Sequence, residues 1–163
     1  MTRRKALLAG VSGLMAAGSL AAVRRPRAAE TEAFRLMHSD AEWRRMLTPA
    51  QYEILRHQDT EMPESSALDH EYRPGRYDCV GCSQPLFSSQ TKFDSHTGWP
   101  SFWQPLPRAV GTSSDTSFLA ARTEVHCSNC GGHLGHVFDD GPKPTGLRYC
   151  MNGAVLSFHP VAA

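Results

Sequence analysis

Hydrophobic and polar positions follow three different patterns along this chain of 163 residues. Residues 6–23 form a mildly apolar run that is rich in Ala, Gly, Leu and Ser. Residues 39–57 carry apolar side chains at the spacing of short amphipathic helices. From Gly75 onward the apolar runs are short, and Gly, Pro, Asn and Ser interrupt them, which is typical of strands and tight turns. The pattern therefore predicts a mainly β domain with short N-terminal helices.

The helix and strand limits follow from local signals. Ser39 or Asp40 is predicted to cap a first helix, and Thr48 a second one with Pro49 in its first turn. A single helical turn is expected at residues 65–69. The segments predicted as strands are 76–79, 86–88, 118–127 and 147–158, and those predicted as turns are 94–98, 111–115 and 140–146.

Residues 1–29 are interpreted as an export signal of the twin-arginine type. Arg3-Arg4-Lys5 precede the weakly apolar run, and small residues follow it, which is the pattern of a cleavable bacterial signal. We therefore expect a periplasmic protein without a permanent membrane span. An uncleaved membrane anchor, or a disordered tail from a wrong start codon, is the alternative. Residues 30–38 are then a linker, and residues 39–163 are the folded domain.

The charge balance changes once this segment is set aside. The chain has 17 Lys and Arg and 16 Asp and Glu, but residues 1–29 hold six of the bases and no acid. The remaining residues have a balance of −5. A domain of that charge lacks the basic surface that nucleic acids or anionic lipids require, so neither is expected as a partner.

Four of the five cysteines form two Cys-x-x-Cys pairs, Cys79 with Cys82 and Cys127 with Cys130. Two such turns can present four sulfurs in the tetrahedral arrangement that zinc prefers. The sequence therefore predicts a structural zinc site. Two disulfides are the alternative in an exported protein, and a thioredoxin-type redox motif is a second one, although its βαβ context is missing.

The fifth cysteine, Cys150, is a candidate nucleophile. If its segment is a strand, alternation places Arg148, Cys150 and Asn152 on one face. A guanidinium near a thiol favours the nucleophilic thiolate, and Asn152 can donate hydrogen bonds to a substrate. The competing interpretation is a buried cysteine that acts as a small hydrophobic residue.

Two further motifs are chemically ambiguous on their own. His133 and His136 could hold water or donate a proton near neutral pH, or they could be surface histidines or a support of the zinc loop. Trp99 lies in an aromatic cluster, residues 98–103, that could belong to the core or line a pocket for a small apolar group.

Taken together, these segments resemble the methionine-R-sulfoxide reductase B family. The resemblance runs from about Trp43 to Phe158, with the motifs in the family's order. The matching segments are 91–95 (TKFDS), 97–102 (TGWPSF), 127–130 (CSNC), 133–142 (HLGHVFDDGP) and 145–152 (TGLRYCMN).

The resemblance implies a fold of two antiparallel sheets in a tent-like arrangement, with the active site on one side and structural zinc on the other. It implies that Cys150 attacks the sulfoxide sulfur, and that His133, His136 and Asn152 hold and protonate the sulfoxide oxygen. Trp99 would face the S-methyl group, Phe138 would extend that wall, and Arg148 would support the thiolate. The products would be methionine and a sulfenic acid on Cys150, and only the R epimer, in proteins or free, would react.

The chain departs from the family at several positions. Thr97 stands where many members have a second, resolving cysteine, so the resemblance implies a one-cysteine cycle with an external small thiol or a thioredoxin-like donor. His96, His126 and Gly153 also replace the family's usual Gly, Arg and Ser. A non-catalytic zinc module that binds a protein, and a different thiol-using zinc enzyme, are the other two function classes that the sequence leaves open.

Overall fold

The computed structural model describes residues 34–117 and 121–161. The chain divides into residues 1–32 and 33–163, and only the second unit is considered below. The predicted export signal lies outside the described residues, as does the start of the predicted linker. Within the described residues, no helix has the length and apolar character needed to cross a bilayer.

Two helices form where the capping signals predict them. Helix α1 spans Asp40–Met46, and Ser39 and Glu42 form a reciprocal capping box at its start. Helix α2 spans Pro49–His57, and Thr48 and Gln51 form the equivalent box. A short 3-10 turn follows at Ala67–His70, near the predicted single turn.

In the described part of the chain, nine strands form two antiparallel sheets. The strands are β1 (Gly75–Cys79), β2 (Pro85–Ser88), β3 (Lys92–Phe93), β4 (Ser101–Phe102), β5 (Val110–Asp115), β6 (Arg122–Cys127), β7 (His133–Phe138), β8 (Arg148–Met151) and β9 (Leu156–Pro160). The first sheet has the order β2-β1-β9, and the second has the order β3-β4-β8-β7-β6-β5. All of these strand pairings within the two sheets are antiparallel. The predicted mainly β fold with two antiparallel sheets and short N-terminal helices is confirmed.

Two of the local predictions were wrong. The segment 147–158 is not one strand: β8 ends at Met151, a 3-10 turn follows at Gly153–Val155, and β9 then joins the other sheet. The segment 111–115 is not a turn but most of the edge strand β5. Its run of Gly, Thr and Ser resembles loop composition, and only its pairing with β6 makes it a strand.

Aromatic side chains form the contact between the two sheets. Phe87 of the first sheet stacks on Phe102 of the second, with ring centroids 4.4 Å apart. Tyr77 meets the same Phe102 ring edge-on at 5.0 Å. All three side chains are fully buried. This packing fixes one sheet relative to the other and supports β4, the strand next to Cys150.

Candidate active site and metal centre

The two Cys-x-x-Cys segments form matching tight turns. In the first, the backbone N–H of Ser83 donates to the carbonyl of Cys79 at 2.8 Å, and in the second Gly131 donates to Cys127 at 2.9 Å. Ser83 and Gly131 both have positive φ, 56° and 68°. Each turn thus brings its two sulfurs to one side, as a metal knuckle requires.

The four sulfurs meet in one cluster. They lie within 4.8 Å of one another, with Cys79 and Cys130 sulfurs 3.8 Å apart and Cys82 and Cys127 sulfurs 3.5 Å apart. A tetrahedral Zn²⁺ with Zn–S bonds of about 2.3 Å requires sulfurs about 3.8 Å apart. A disulfide requires about 2.05 Å, and all four cysteines are free thiols. The donor set and its spacing therefore fit a closed tetrathiolate metal site better than two disulfides.

The N-terminal helices cover this cluster. Leu55 of α2 packs against both knuckles, since a Cβ added at Gly132 would lie 2.5 Å from its Cδ2 and one at Gly81 would lie 3.4 Å from its Cδ1. Leu55 is 2% exposed. Arg56 donates to the carbonyl of Cys130 at 3.3 Å. Solvent is thus excluded from the sulfurs on the side that the helices cover.

Cys150 lies on β8 between β4 and β7, directly opposite Ser101 on one side and His136 on the other. It opens into a cavity of about 130 Å³. The residues that line this cavity are Thr60, Trp99, Arg122, Gly135, His136, Phe138, Cys150, Met151 and Asn152. Of the predicted site residues, the structure therefore brings Cys150, His136, Asn152, Trp99 and Phe138 to one cavity.

Burial raises the pKa of the Cys150 thiol, and three neighbours oppose that effect. Thr97 lies with its hydroxyl 3.9 Å from the sulfur, and Arg148 and Ser101 also favour the thiolate. As predicted, Arg148 lowers the pKa of Cys150. Desolvation raises that pKa by more, so the resting group is a thiol. The guanidinium of Arg148 is held by a bidentate pair with Asp140, at 2.7 and 2.8 Å.

Phe138 lines the cavity beside Cys150 and lies opposite Arg148 in the β7–β8 pairing. The guanidinium carbon lies 4.4 Å from the centre of the Phe138 ring. Arg148 thus holds the ring in place as well as acting on the thiol.

A β-bulge brings the two histidines to one face. Residues three apart on a regular strand point to opposite faces, but β7 pairs His133 with His126 and Gly135 with Val125, so Leu134 is an extra residue. The imidazole rings of His133 and His136 consequently lie 5.3 Å apart.

Each histidine has a carboxylate partner on another strand of the same sheet, that of His133 on β6 and that of His136 on β5. His133 Nδ1 lies 2.8 Å from Glu124, and His136 Nε2 lies 2.8 Å from Asp115. The imidazole of His133 holds the pKa of Glu124 at about 2, and Ser117, His136 and Arg122 lower that of Asp115. Burial lowers the pKa of His136, with Asp115 opposing it.

His133 differs from His136 in its exposure. It is 2% exposed and is not among the cavity-lining residues, and its Nε2 has no hydrogen-bond partner among the described residues. A buried imidazole nitrogen without a partner is costly and indicates a position for water or a substrate atom.

Asn152 lies just beyond the end of β8 and holds the bulge. Its backbone N–H and its Nδ2 both donate to the carbonyl of Leu134, at 2.8 and 3.2 Å. Its Oδ1 accepts from the backbone N–H of Glu61 at 3.0 Å. Trp99 is attached to the same segment, because its indole N–H donates to the Glu61 carbonyl at 3.2 Å.

Sequence reasoning missed Glu61, Asp115 and Glu124. The sequence pattern predicts a turn at Asp115, and it gives Glu124 no role beyond its place in a predicted strand. An acid in a strand beside a His-rich segment was the available signal, but only the sheet register shows which acid meets which imidazole.

The fold and the site define a mainly β protein with a four-cysteine cluster that could hold a metal ion, and with a separate thiol beside an imidazole in a cavity. The model of the SelR domain family matches residues 47–160. A peptide methionine sulfoxide reductase MsrB of Agrobacterium fabrum is 53% identical over 124 residues, covering 76% of this chain and 92% of the relative. The MsrB of Thiobacillus denitrificans is 54% identical over 123 residues, covering 75% and 93%. The chain belongs to the peptide methionine sulfoxide reductase MsrB family.

A solved structure, the Mis18 "Yippee-like" domain, is also similar, with a TM-score of 0.44 and 17% identity. It covers 56% of this chain and 100% of its own.

Proposed function

We propose that this protein reduces methionine-R-sulfoxide, chiefly in oxidised proteins, with Cys150 as the nucleophile. The observation that carries the proposal is the position of Cys150: it is the one cysteine outside the four-sulfur cluster, and it faces a cavity shared with His136, Asn152 and Trp99. Relatives that are named peptide methionine sulfoxide reductases match most of the chain at 53 and 54% identity.

In the proposed reaction the Cys150 sulfur attacks the sulfoxide sulfur as the sulfoxide oxygen gains a proton. The oxygen then passes to the Cys150 sulfur: a Cys150 S–O bond forms, and the substrate S–O bond and the transient S–S bond break. Methionine leaves, and Cys150 carries the oxygen as a sulfenic acid. The thiol is oxidised by two electrons and the sulfoxide is reduced by two. The raised pKa of Cys150 means that the thiol brings a proton with it, which can pass to the oxygen through an imidazole.

The groups around the sulfur suit this charge movement. His133, His136 and Asn152 offer donors where the oxygen accumulates negative charge, and Glu124 and Asp115 stabilise the imidazoles when they are protonated. The aromatic faces of Trp99 and Phe138 line the cavity and would receive the S-methyl group.

The cycle is proposed to close without an internal disulfide. The residue that approaches Cys150 from the 94–98 loop is Thr97, and the other four cysteines belong to the metal cluster. Two thiols of an external donor, a small thiol or a thioredoxin-like protein, would convert the sulfenic acid to thiol, water and a disulfide.

Zn²⁺ is the proposed occupant of the cysteine cluster, held by Cys79, Cys82, Cys127 and Cys130. Bound there, it would tie β1 to the β6–β7 hairpin and leave no open position for catalysis. Export to the periplasm by the segment 1–29 is proposed on its sequence pattern alone.

The test is reduction of the separated R and S epimers by the purified protein with dithiothreitol. Turnover of the R epimer alone is expected, and Cys150→Ser should abolish it while zinc content and thermal unfolding stay unchanged. Activity in that variant would contradict the nucleophile assignment. A zinc-loaded wild-type protein that is inactive on both epimers would favour a binding module instead.

A further inference from the structure

The segment 60–64 contacts two loops that carry site residues, and its Thr60 lines the cavity. On one side, the backbone N–H of Glu64 donates to the carbonyl of Gly98 at 2.7 Å. Gly98 has a φ of +88°, and a Cβ there would lie 2.8 Å from Pro63. The close approach of this segment to the Trp99 loop therefore requires glycine at that position.

Glu61 makes contacts from both its backbone and its side chain. Its N–H donates to Asn152 Oδ1 at 3.0 Å, and its carbonyl accepts from the Trp99 indole at 3.2 Å. Its carboxylate accepts from the backbone N–H groups of Gly153 and Ala154, at 2.5 and 2.8 Å. Glu61 therefore connects the Trp99 side chain to the loop that follows β8.

These contacts fix the orientation of the Asn152 amide. A side-chain amide has one acceptor and two donors. The Glu61 N–H occupies the oxygen, and one donor is given to Leu134, so the oxygen cannot exchange places with the nitrogen. The second donor is then left for a ligand in the cavity that Asn152 lines.

The same contacts fix the Trp99 ring. Its N–H is the only polar group of an indole, and holding that group at the Glu61 carbonyl leaves one ring orientation towards the cavity. The distance between the Trp99 ring and the Asn152 amide is consequently set by Glu61, since both side chains are hydrogen-bonded to its backbone.

The Glu61 carboxylate is the anchor of this arrangement. Its partners are two backbone N–H groups, which do not move independently of the chain. Burial and the charge of Asp69 raise the pKa of Glu61, whereas the two N–H groups lower it. A carboxylate accepts both donors, but an amide has only one acceptor oxygen, so Gln at this position would leave one N–H without its partner.

We propose that Glu61 is a positioning residue that sets the separation of Trp99 and Asn152, and with it the fit of the sulfoxide's methyl group and oxygen. This inference rests on the proposed function for its kinetic part only. Glu61 touches neither the thiol nor the substrate, so the chemistry at Cys150 proceeds without it, but the substrate is bound less well.

The test compares Glu61→Gln with Glu64→Gln, which removes an exposed charge three residues away. We expect Glu61→Gln to raise KM for the R epimer about tenfold, equivalent to about 1.4 kcal/mol, with kcat changed less than threefold. Glu64→Gln should match the wild type. The rate of alkylation of Cys150 by iodoacetamide should be unchanged in both variants.

A second measurement is independent of activity. In a ¹H–¹⁵N spectrum, the indole N–H of Trp99, assigned by its loss in Trp99→Phe, should shift upfield and exchange faster in Glu61→Gln only. Unchanged KM together with an unchanged Trp99 signal would overturn the proposal. If Glu61→Gln fails to fold, Glu61→Asp, which keeps the charge but shortens the reach, should show the same shift, and an unaltered signal in it would equally overturn the proposal. An inactive wild type with the expected Trp99 shift would refute the proposed function alone.

Discussion

Replacing Glu124 by Gln should separate the role of its charge from its role in packing. Glu124 is 7% exposed and His133 is 2% exposed, so the bond between them is shielded from water. The same carboxylate accepts from Ser113 and, at 3.2 Å, from Gln58. Gln has nearly the same shape but no charge and one acceptor oxygen instead of two.

The expected loss follows from the change in the His133 bond. A hydrogen bond to a charged group contributes about 1.5–3 kcal/mol, and a neutral one about 0.5–1.5 kcal/mol. The difference of about 1–2 kcal/mol applies to the protonated imidazole, which only a carboxylate stabilises. Because about 1.36 kcal/mol corresponds to a factor of ten in rate, kcat/KM for the R epimer should fall roughly 5- to 30-fold.

The matched control is Ser113→Ala, which removes a second partner of the same carboxylate and leaves the His133 bond in place. Both variants should be assayed with dithiothreitol over a range of pH. Activity of Glu124→Gln within twofold of the wild type would refute the argument that a charged partner supports proton transfer. So would an equal loss in Ser113→Ala, since that would point to packing.

The remaining predictions concern acid stability, the thiol and the metal. The native pKa of Glu124 is depressed from 4.5 to about 2, so its contribution to stability is present above pH 4.5 and is lost as the pH falls towards 2. Glu124→Gln should lack that part of acid unfolding, at most about 3 kcal/mol, in urea titrations at several pH values. The alkylation rate of Cys150 should still be rising above pH 9, because burial raises its pKa; a plateau below pH 8 would contradict this. Cys79→Ser should lose bound zinc and stability together in metal analysis and thermal unfolding, and a stable zinc-free variant would oppose the structural role.

The features that sequence reasoning predicted well are local ones. Ser39 and Thr48 cap helices because each capping box is complete within four residues. The knuckles are equally local, since each pair of sulfurs is set by one tight turn. The meeting of the two knuckles is a tertiary contact, but the chemistry of four thiolates made it predictable.

The features that it missed depend on pairing between distant segments. Alternation explains why Arg148 and Cys150 share a face, but it predicts opposite faces for His133 and His136. The bulge at Leu134 brings both histidines to the same face, and no residue type in this motif indicates a bulge. The Glu61 contacts span 38 positions to Trp99 and 91 to 93 positions to residues 152–154, so no local pattern could reveal them.

This dependence on register gives the cysteine cluster a functional consequence. Cys127 and Cys130 lie at the turn of the β6–β7 hairpin. Both imidazoles and Glu124 lie along the two strands that leave this turn. A slip of one residue would turn each side chain to the opposite face of the sheet. A bound metal at the turn, and the bonds from Asn152 to the Leu134 carbonyl further along, would favour the register in which His136 lies opposite Cys150 and the His133 ring lies beside that of His136. A metal that takes no part in the chemistry would therefore still determine whether the site exists.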